Sequence, residues 1–168
     1  KTQRGYYAAD ACDLSDFAAL VLRDVNPRDV PQACETPQNV PVYDMQALSG
    51  HLTEVDRRRG LMAEWARILQ SGAGVFVLRH ACEDTSAIDA ATAIFNDIIA
   101  REKAGKGTRA DHFAAAGSND RIWNSLQKLC EANPETFIRY HANPAIDAAC
   151  EAWLGPNYQM TAQVNSVH

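Results

Sequence analysis

Histidine, cysteine and carboxylate side chains could do chemistry in this chain, and their spacing limits which chemistry that is. The five histidines are His51, His80, His112, His141 and His168. Only Asp111-His112 sets an acid beside one of them. No His-x-Asp, His-x-x-x-His or His-Glu-x-x-His spacing occurs, so no complete local metal motif is present. His80, at the end of an apolar run, reads as a satisfied or exposed residue rather than a ligand. Cys12, Cys34, Cys82, Cys130 and Cys150 are far apart and form no Cys-x-x-Cys pair, whereas a structural zinc site wants close pairs. They read as buried, reduced thiols of a cytoplasmic protein. There is no Gly-x-Ser-x-Gly elbow and no cysteine with a histidine at a family-like position, which leaves a hydrolase without a nucleophile. The 21 Asp and Glu residues define no acid–base pair by spacing alone.

The elements that must position these groups fit one domain with a proper core, since the chain has 168 residues and is 46% hydrophobic. A net charge of −5, with Lys and Arg scattered among more numerous acids, speaks against a nucleic-acid or anionic-membrane partner. Every apolar run falls short of the roughly 20 residues that span a bilayer, and the polar start is not a signal peptide.

Along the chain, Phe17, Ala18, Leu20 and Val21 recur at helical spacing after Ser15, a candidate N-cap. Residues 26–39, with Pro27, Pro31 and Pro37, read as an irregular linker. Val40 to Met45 is a strand candidate at an edge, because Pro41 lacks a donor. Leu52 to Gln70 reads as one amphipathic helix, with Leu61, Met62, Trp65, Ile68 and Leu69 inward and Glu54, Asp56 to Arg59 and Glu64 in solvent. Val75 to Arg79 reads as a buried strand. Gly72-Ala73-Gly74 precedes it, the wrong order for a dinucleotide loop, which follows a strand and opens a helix.

A capped helix begins near Ser86 with Ile88, Ala91, Phe95, Ile98 and Ile99 inward, and a loop follows from Ala104. Asn119 to Glu131 fits a helix. Phe137 to Tyr140 is a short hydrophobic segment. Asn143-Pro144 opens a last helix on which Ile146, Ala149, Cys150 and Trp153 pack, closed by Gly155. From Tyr158 to Val167 apolar and polar residues alternate with the period of a strand. A strand needs neighbours for its edges, and the chain stops at His168, so the expectation is a fold broken off as its sheet begins.

Two blocks carry a resemblance. Val40-Pro41-Val42-Tyr43-Asp44-Met45, an amphipathic helix, Gly72 to Arg79 and a capped helix are similar to the opening of the Fe(II)/2-oxoglutarate oxygenases. Arg139-Tyr140 through Leu154-Gly155-Pro156-Asn157 and on to Gln163-Val164-Asn165-Ser166-Val167-His168 resembles the phytanoyl-CoA dioxygenase family. In that family a helix ends in a Gly-Pro turn and feeds the first strand of a double-stranded β-helix.

The resemblance implies an α+β chain: the helical N-terminal part of a double-stranded β-helix (jelly-roll, cupin-like) oxygenase, truncated at the first core strand. Residues 1–39 would be an arm, a short helix and a proline-rich linker, and 40–168 the oxygenase part. It implies a non-haem iron, 2-oxoglutarate-dependent dioxygenase hydroxylating a small organic substrate. The Fe(II)-holding His-x-Asp would lie after His168, so no metal ligand and no catalytic residue is expected in this chain. For the cosubstrate the resemblance implies Lys128, within one residue of the family lysine, whose ungapped match is Gln127, and from the first core strand Gln163 and Asn165. A macromolecular partner would be the missing C-terminal part or an oligomer partner. The alternative is a non-catalytic helical module that adds its C-terminal strand to a partner's sheet.

Overall fold

The structure, a computed structural model, describes residues 12–106, 121–161 and 166–167. Within them run seven α-helices and four short strands. Helix α1 spans Leu14–Val21, and its cap is Asp13 rather than Ser15. Asp13 Oδ1 accepts hydrogen bonds from Ser15 N–H at 2.7 Å and from the Ser15 hydroxyl at 2.6 Å. Phe17, Leu20 and Val21 stay exposed.

The linker contains two 3₁₀ turns, Pro27–Asp29 and Pro37–Asn39, with Gln38 and Asn39 both at positive φ. It packs on the body: Val30 is buried in the core, and Glu35 bridges antiparallel to Val42.

Strand β1, Val42–Asp44, pairs parallel with β2, Val77–Arg79, in the register Val42↔Val77 and Asp44↔Arg79. Between them the single expected helix is two, α2 Ser49–Thr53 and α3 Val55–Ser71, broken where Glu54 takes extended angles. Gly72 ends α3 because any side chain would collide with its last turn: a Cβ there would stand 2.9 Å from Ile68 Cα.

The expectation of a buried strand from Val75 is corrected, because only Val77–Arg79 pairs, and Val75 and Val77 are 47% and 46% exposed. Phe76 and Leu78 alone turn to the core, the alternation of a strand covered on one face.

Helix α4, Ser86–Lys106, runs past the expected loop start at Ala104, and its Ile88 is 39% exposed while Ala91, Phe95, Ile98 and Ile99 are buried. Asn124 at positive φ separates strand β3, Arg121–Ile122, from α5, Ser125–Ala132, so the segment read as one helix is two elements. Phe137 to Tyr140 belongs to α6, Pro134–His141, which forms because Asn133 caps Thr136 N–H at 2.9 Å and Pro134 fills the first position.

Asn143 caps α7, Pro144–Leu154, and Gly155 ends it at φ +89°, as expected. Its packing face differs from the expected one. Ala145 and Ala148 are buried against α3, and Ile146 and Trp153 are exposed, because small residues let two helices approach closely.

The strand expected from Tyr158 to Val167 is corrected at its start. Residues Gly155 to Thr161 are turn and irregular chain, with Tyr158 OH donating to Asp147 Oδ1 at 2.7 Å and so holding the segment on α7. Ser166–Val167 forms β4, antiparallel to β3; 162–165 lie outside the described residues. No larger sheet occurs among the described residues.

Candidate functional site

Lys128 sits on α5, where the α4–α5 contact turns it towards Glu102, and its ammonium pairs with that carboxylate. With Ile98, Arg101, Glu131 and Ala132 the pair lines a shallow cavity of about 360 Å³. Glu131 also accepts from Gln127 Nε2 at 2.8 Å, and Arg101 pairs with Asp97 at 2.9 Å. Lys128 therefore already has a carboxylate partner, the kind of group the resemblance assigns it. Gln163 and Asn165 lie outside the described residues, as does Asp111-His112, so Lys128 is the one resemblance-derived site residue that can be placed.

The clearest constellation of chemical groups lies elsewhere, at the C-terminal ends of β1 and β2. Asp44 ends β1, and its Oδ1 accepts from Gln46 N–H at 3.0 Å and lies 3.0 Å from His80 Nδ1. His80 follows β2 at φ +55°, a left-handed conformation uncommon outside glycine. The His80 hydrogen bond, helped by the turn amides, holds the Asp44 carboxyl below its usual range. With Nδ1 held by Asp44 and about half of its side chain exposed, His80 has the arrangement in which a carboxylate orients an imidazole. Parallel sheets place ligands beyond this end of their strands.

Behind the sheet lies a buried polar network. Glu64, expected in solvent, is 1% exposed and accepts from Tyr43 OH at 2.7 Å and from Gln32 N–H and Nε2 at 3.3 Å each. Burial, reinforced by Glu64, pushes the Tyr43 phenol well above its usual pKa, so its proton stays in place as a donor. Trp65 stacks on Phe76 and meets Tyr43 edge-on, and its buried Nε1 lacks a partner among the described residues.

Other expectations change here too. Arg58 is not part of a solvated run, because its Nη2 pairs with Asp147 at 2.8 Å and its Nη1 with Glu151, tying α3 to α7. None of the five cysteines is buried: Cys12, Cys34 and Cys82 are exposed, and Cys130 and Cys150 are half-buried. Cys34 and Cys82 lie on irregular chain at the surface, where the Cys34 thiol donates to Val42 O and the Cys82 sulfur accepts from Asn143 Nδ2.

Two of these groups had a sequence signal. Leu61, Glu64, Trp65 and Ile68 fall at i, i+3, i+4 and i+7, so Glu64 shares the apolar stripe. Asp44 and His80 each sit where an apolar run ends, but their pairing depends on the parallel register, which spacing does not reveal.

Among the described residues no group of three or more His, Cys, Asp or Glu side chains could hold a metal ion, and no helix is long and apolar enough to cross a membrane. No protein-family model, no curated protein and no solved structure matches the chain.

Proposed function

We propose that the chain is the helical N-terminal part of a non-haem iron, 2-oxoglutarate-dependent dioxygenase of the phytanoyl-CoA dioxygenase type, acting on a small organic substrate in the cytoplasm, with no nucleic-acid or membrane partner. One observation carries the reading. Two segments of the first resemblance-bearing block, Val40 to Met45 and Gly72 to Arg79, meet through the parallel strands β1 and β2 across the amphipathic α3, and the capped α4 follows. That order of strand, helix, strand and capped helix is the one the resemblance implies.

The described residues do not fit an iron site, so no step is derived through the metal. When bound in the complete protein, iron and 2-oxoglutarate would supply the oxidising chemistry. The described residues brace the sheet with α3 and α7 and offer Lys128, which would exchange the Glu102 carboxylate for that of the cosubstrate.

The test is the full-length gene product. A His-x-Asp motif within a few dozen codons after residue 168, with Fe(II)-dependent conversion of 2-oxoglutarate to succinate, is the expected result. A full-length protein lacking the motif and the turnover overturns the reading. It would favour instead the non-catalytic module, which draws on the two-residue β4, too short a ladder to be stable alone.

A further inference from the structure

A second cavity lies between α1, the linker and the last turns of α3, at the opposite end of the parallel pair from Asp44 and His80. Val40, Pro41 and Val75, which precede β1 and β2, line it, and its volume of about 780 Å³ is in the range that takes small molecules. Its deep part is core, with Val30 and Ile68 buried, whereas Leu20, Val21 and Val75 line it about half exposed. A ligand with an apolar body would take those three out of water. The linker wall is set before any ligand arrives. Gln38 and Asn39, both lining the cavity, hold left-handed φ values of 50° and 64°. The Asn39 side chain accepts from Val25 N–H and donates to Asp24 Oδ1, both at 3.0 Å. Residues held in such sparsely populated conformations cluster at ligand clamps, and a wall that need not be ordered on binding lowers its cost.

The charges around the cavity narrow the ligand. Among the described side chains Arg57, Arg58, Arg59, Arg79, Arg101 and Arg139 each pair with a carboxylate. Arg23, Arg28 and Arg67 have no such partner among the described residues, and two of these, Arg23 and Arg67, line this cavity. Asp29 lines it too, with no hydrogen bond to its carboxylate among the described residues, and Asp24 does so in the grip of Asn39. Two guanidiniums against two carboxylates leave the lining without net charge. A plain anion or a plain cation would therefore meet as much repulsion as attraction, and a ligand with one charge of each sign would not.

We propose that this cavity binds a small apolar zwitterion, an amino acid or dipeptide with apolar side chains. Arg67 and Arg23 take its carboxylate, Asp29 its ammonium, and Leu20, Val21 and Val75 its side chains. A guanidinium fork matches a carboxylate with two parallel hydrogen bonds, which suits Arg here better than Lys. The site uses neither Lys128 nor the Asp44–His80 pair, and it stands or falls independently of the oxygenase reading.

Calorimetric titration of the 168-residue chain tests it, with leucine, Leu-Leu, Leu-Leu amide, N-acetyl-Leu-Leu and Gly-Gly as probes. The expected result is saturable binding of leucine or Leu-Leu below about 1 mM, the tighter of the two identifying the source. Blocking either terminus of Leu-Leu, or removing its side chains as in Gly-Gly, should weaken binding by about tenfold or more. The variants should divide the two charges. Arg67→Gln should weaken Leu-Leu by about tenfold and leave the amide unchanged, and Asp29→Asn should weaken Leu-Leu and leave the N-acetyl form unchanged. Both residues are exposed, so the urea midpoint of each variant should match that of the parent chain.

No saturable binding of leucine or Leu-Leu to a chain that unfolds cooperatively in urea overturns the proposal. N-acetyl-Leu-Leu binding as tightly as Leu-Leu overturns it in favour of a simple anion site, and the amide doing so overturns it in favour of a cation site. Gly-Gly binding as tightly as Leu-Leu removes the part given to Leu20, Val21 and Val75 and overturns it as well.

Discussion

Among the described residues two hydrophobic clusters form, and they are built differently. The first lies between α3, α7 and the β1–β2 pair: Val30, Tyr43, Met45, Leu61, Trp65, Ile68, Ala145 and Ala148. It encloses a carboxylate, a phenol and an amide that satisfy one another, with an aromatic trio beside them. The second, among α4, α5, α6 and β3, is Ala91, Phe95, Ile98, Ile99, Ile122 and Leu129. Its charged groups, Lys128, Glu102, Arg101 and Asp97, pair on the rim. A buried polar network allows few alternative packings, because any rearrangement strands a donor. An aliphatic cluster with charges at its edge tolerates many. The β1–β2 pair, which joins two segments of the first resemblance-bearing block, is thus held by the less forgiving of the two clusters.

Removing Glu64 is the strongest way to test that contrast. Glu64→Ala strands Tyr43 OH and the Gln32 amide in the core and should cost about 3 kcal/mol in urea unfolding. Glu64→Gln keeps an acceptor for Tyr43 and should cost about 1 kcal/mol. The linker should exchange and be proteolysed faster in the alanine variant, since Gln32 ties it to α3. A cost for Glu64→Ala below about 1 kcal/mol, with the linker unchanged, would remove the distinction between the clusters.

The pH limits of stability should also divide between them. In the first cluster the Tyr43 pKa is raised above its unfolded value of 10.0, by burial first and then by Glu64. Its contribution is full below pH 10 and is lost as the pH rises beyond that, when the unfolded chain ionises and the folded one does not. Beside the second cluster His141, against the Phe137 ring, has its pKa lowered from 6.5 by burial. Its contribution is full above pH 6.5 and is lost as the pH falls through the depressed folded value, because only the unfolded chain readily takes the proton.

Asp13, Asp44 and Asp84 have carboxyl pKa values lowered from 3.8, so their losses come at lower pH. Melting temperature followed across pH should show Tyr43→Phe blunting the alkaline fall and His141→Leu the acid fall, each leaving the other limb in place. If either variant moves both limbs, the two clusters unfold as one titrating unit.

How much of this was legible in the sequence follows the same division. The α3 stripe, the Asn143-Pro144 start and the Gly155 end of α7 were readable, because each depends on local spacing or on a single residue's backbone preference. The break at Glu54, the exposure of Val75 and Val77 and the burial of Glu64 were not, because each is decided by what packs across from it. A helical wheel places Glu64 on the inner face, but only the Tyr43 hydroxyl and Gln32, both distant in sequence, make burial tolerable there. At Tyr158 to Thr161 the alternation misled for a related reason: period two also describes irregular chain when a side chain such as Tyr158 anchors to a helix. Of the candidate cosubstrate residues, Lys128 could be located, but its pairing with Glu102 depends on how α4 meets α5.

The smallest expected effect belongs to that pair, and it separates structure from function. Lys128 and Glu102 side chains are 28% and 30% exposed, so the ammonium and carboxylate meet in partly aqueous surroundings and gain little over solvation. Lys128→Ala should change unfolding free energy by less than about 1 kcal/mol, well under the cost of Glu64→Ala. On the proposed oxygenase reading the same substitution in a full-length protein should weaken 2-oxoglutarate binding by about tenfold or more, because that reading gives Lys128 a charge-assisted contact to the cosubstrate. A large stability loss would mean that the second cluster is locked by its rim charges and the contrast drawn from the cores is wrong. Unchanged 2-oxoglutarate affinity would return Lys128 to an ordinary helix-surface residue, held by Glu102 and nothing more.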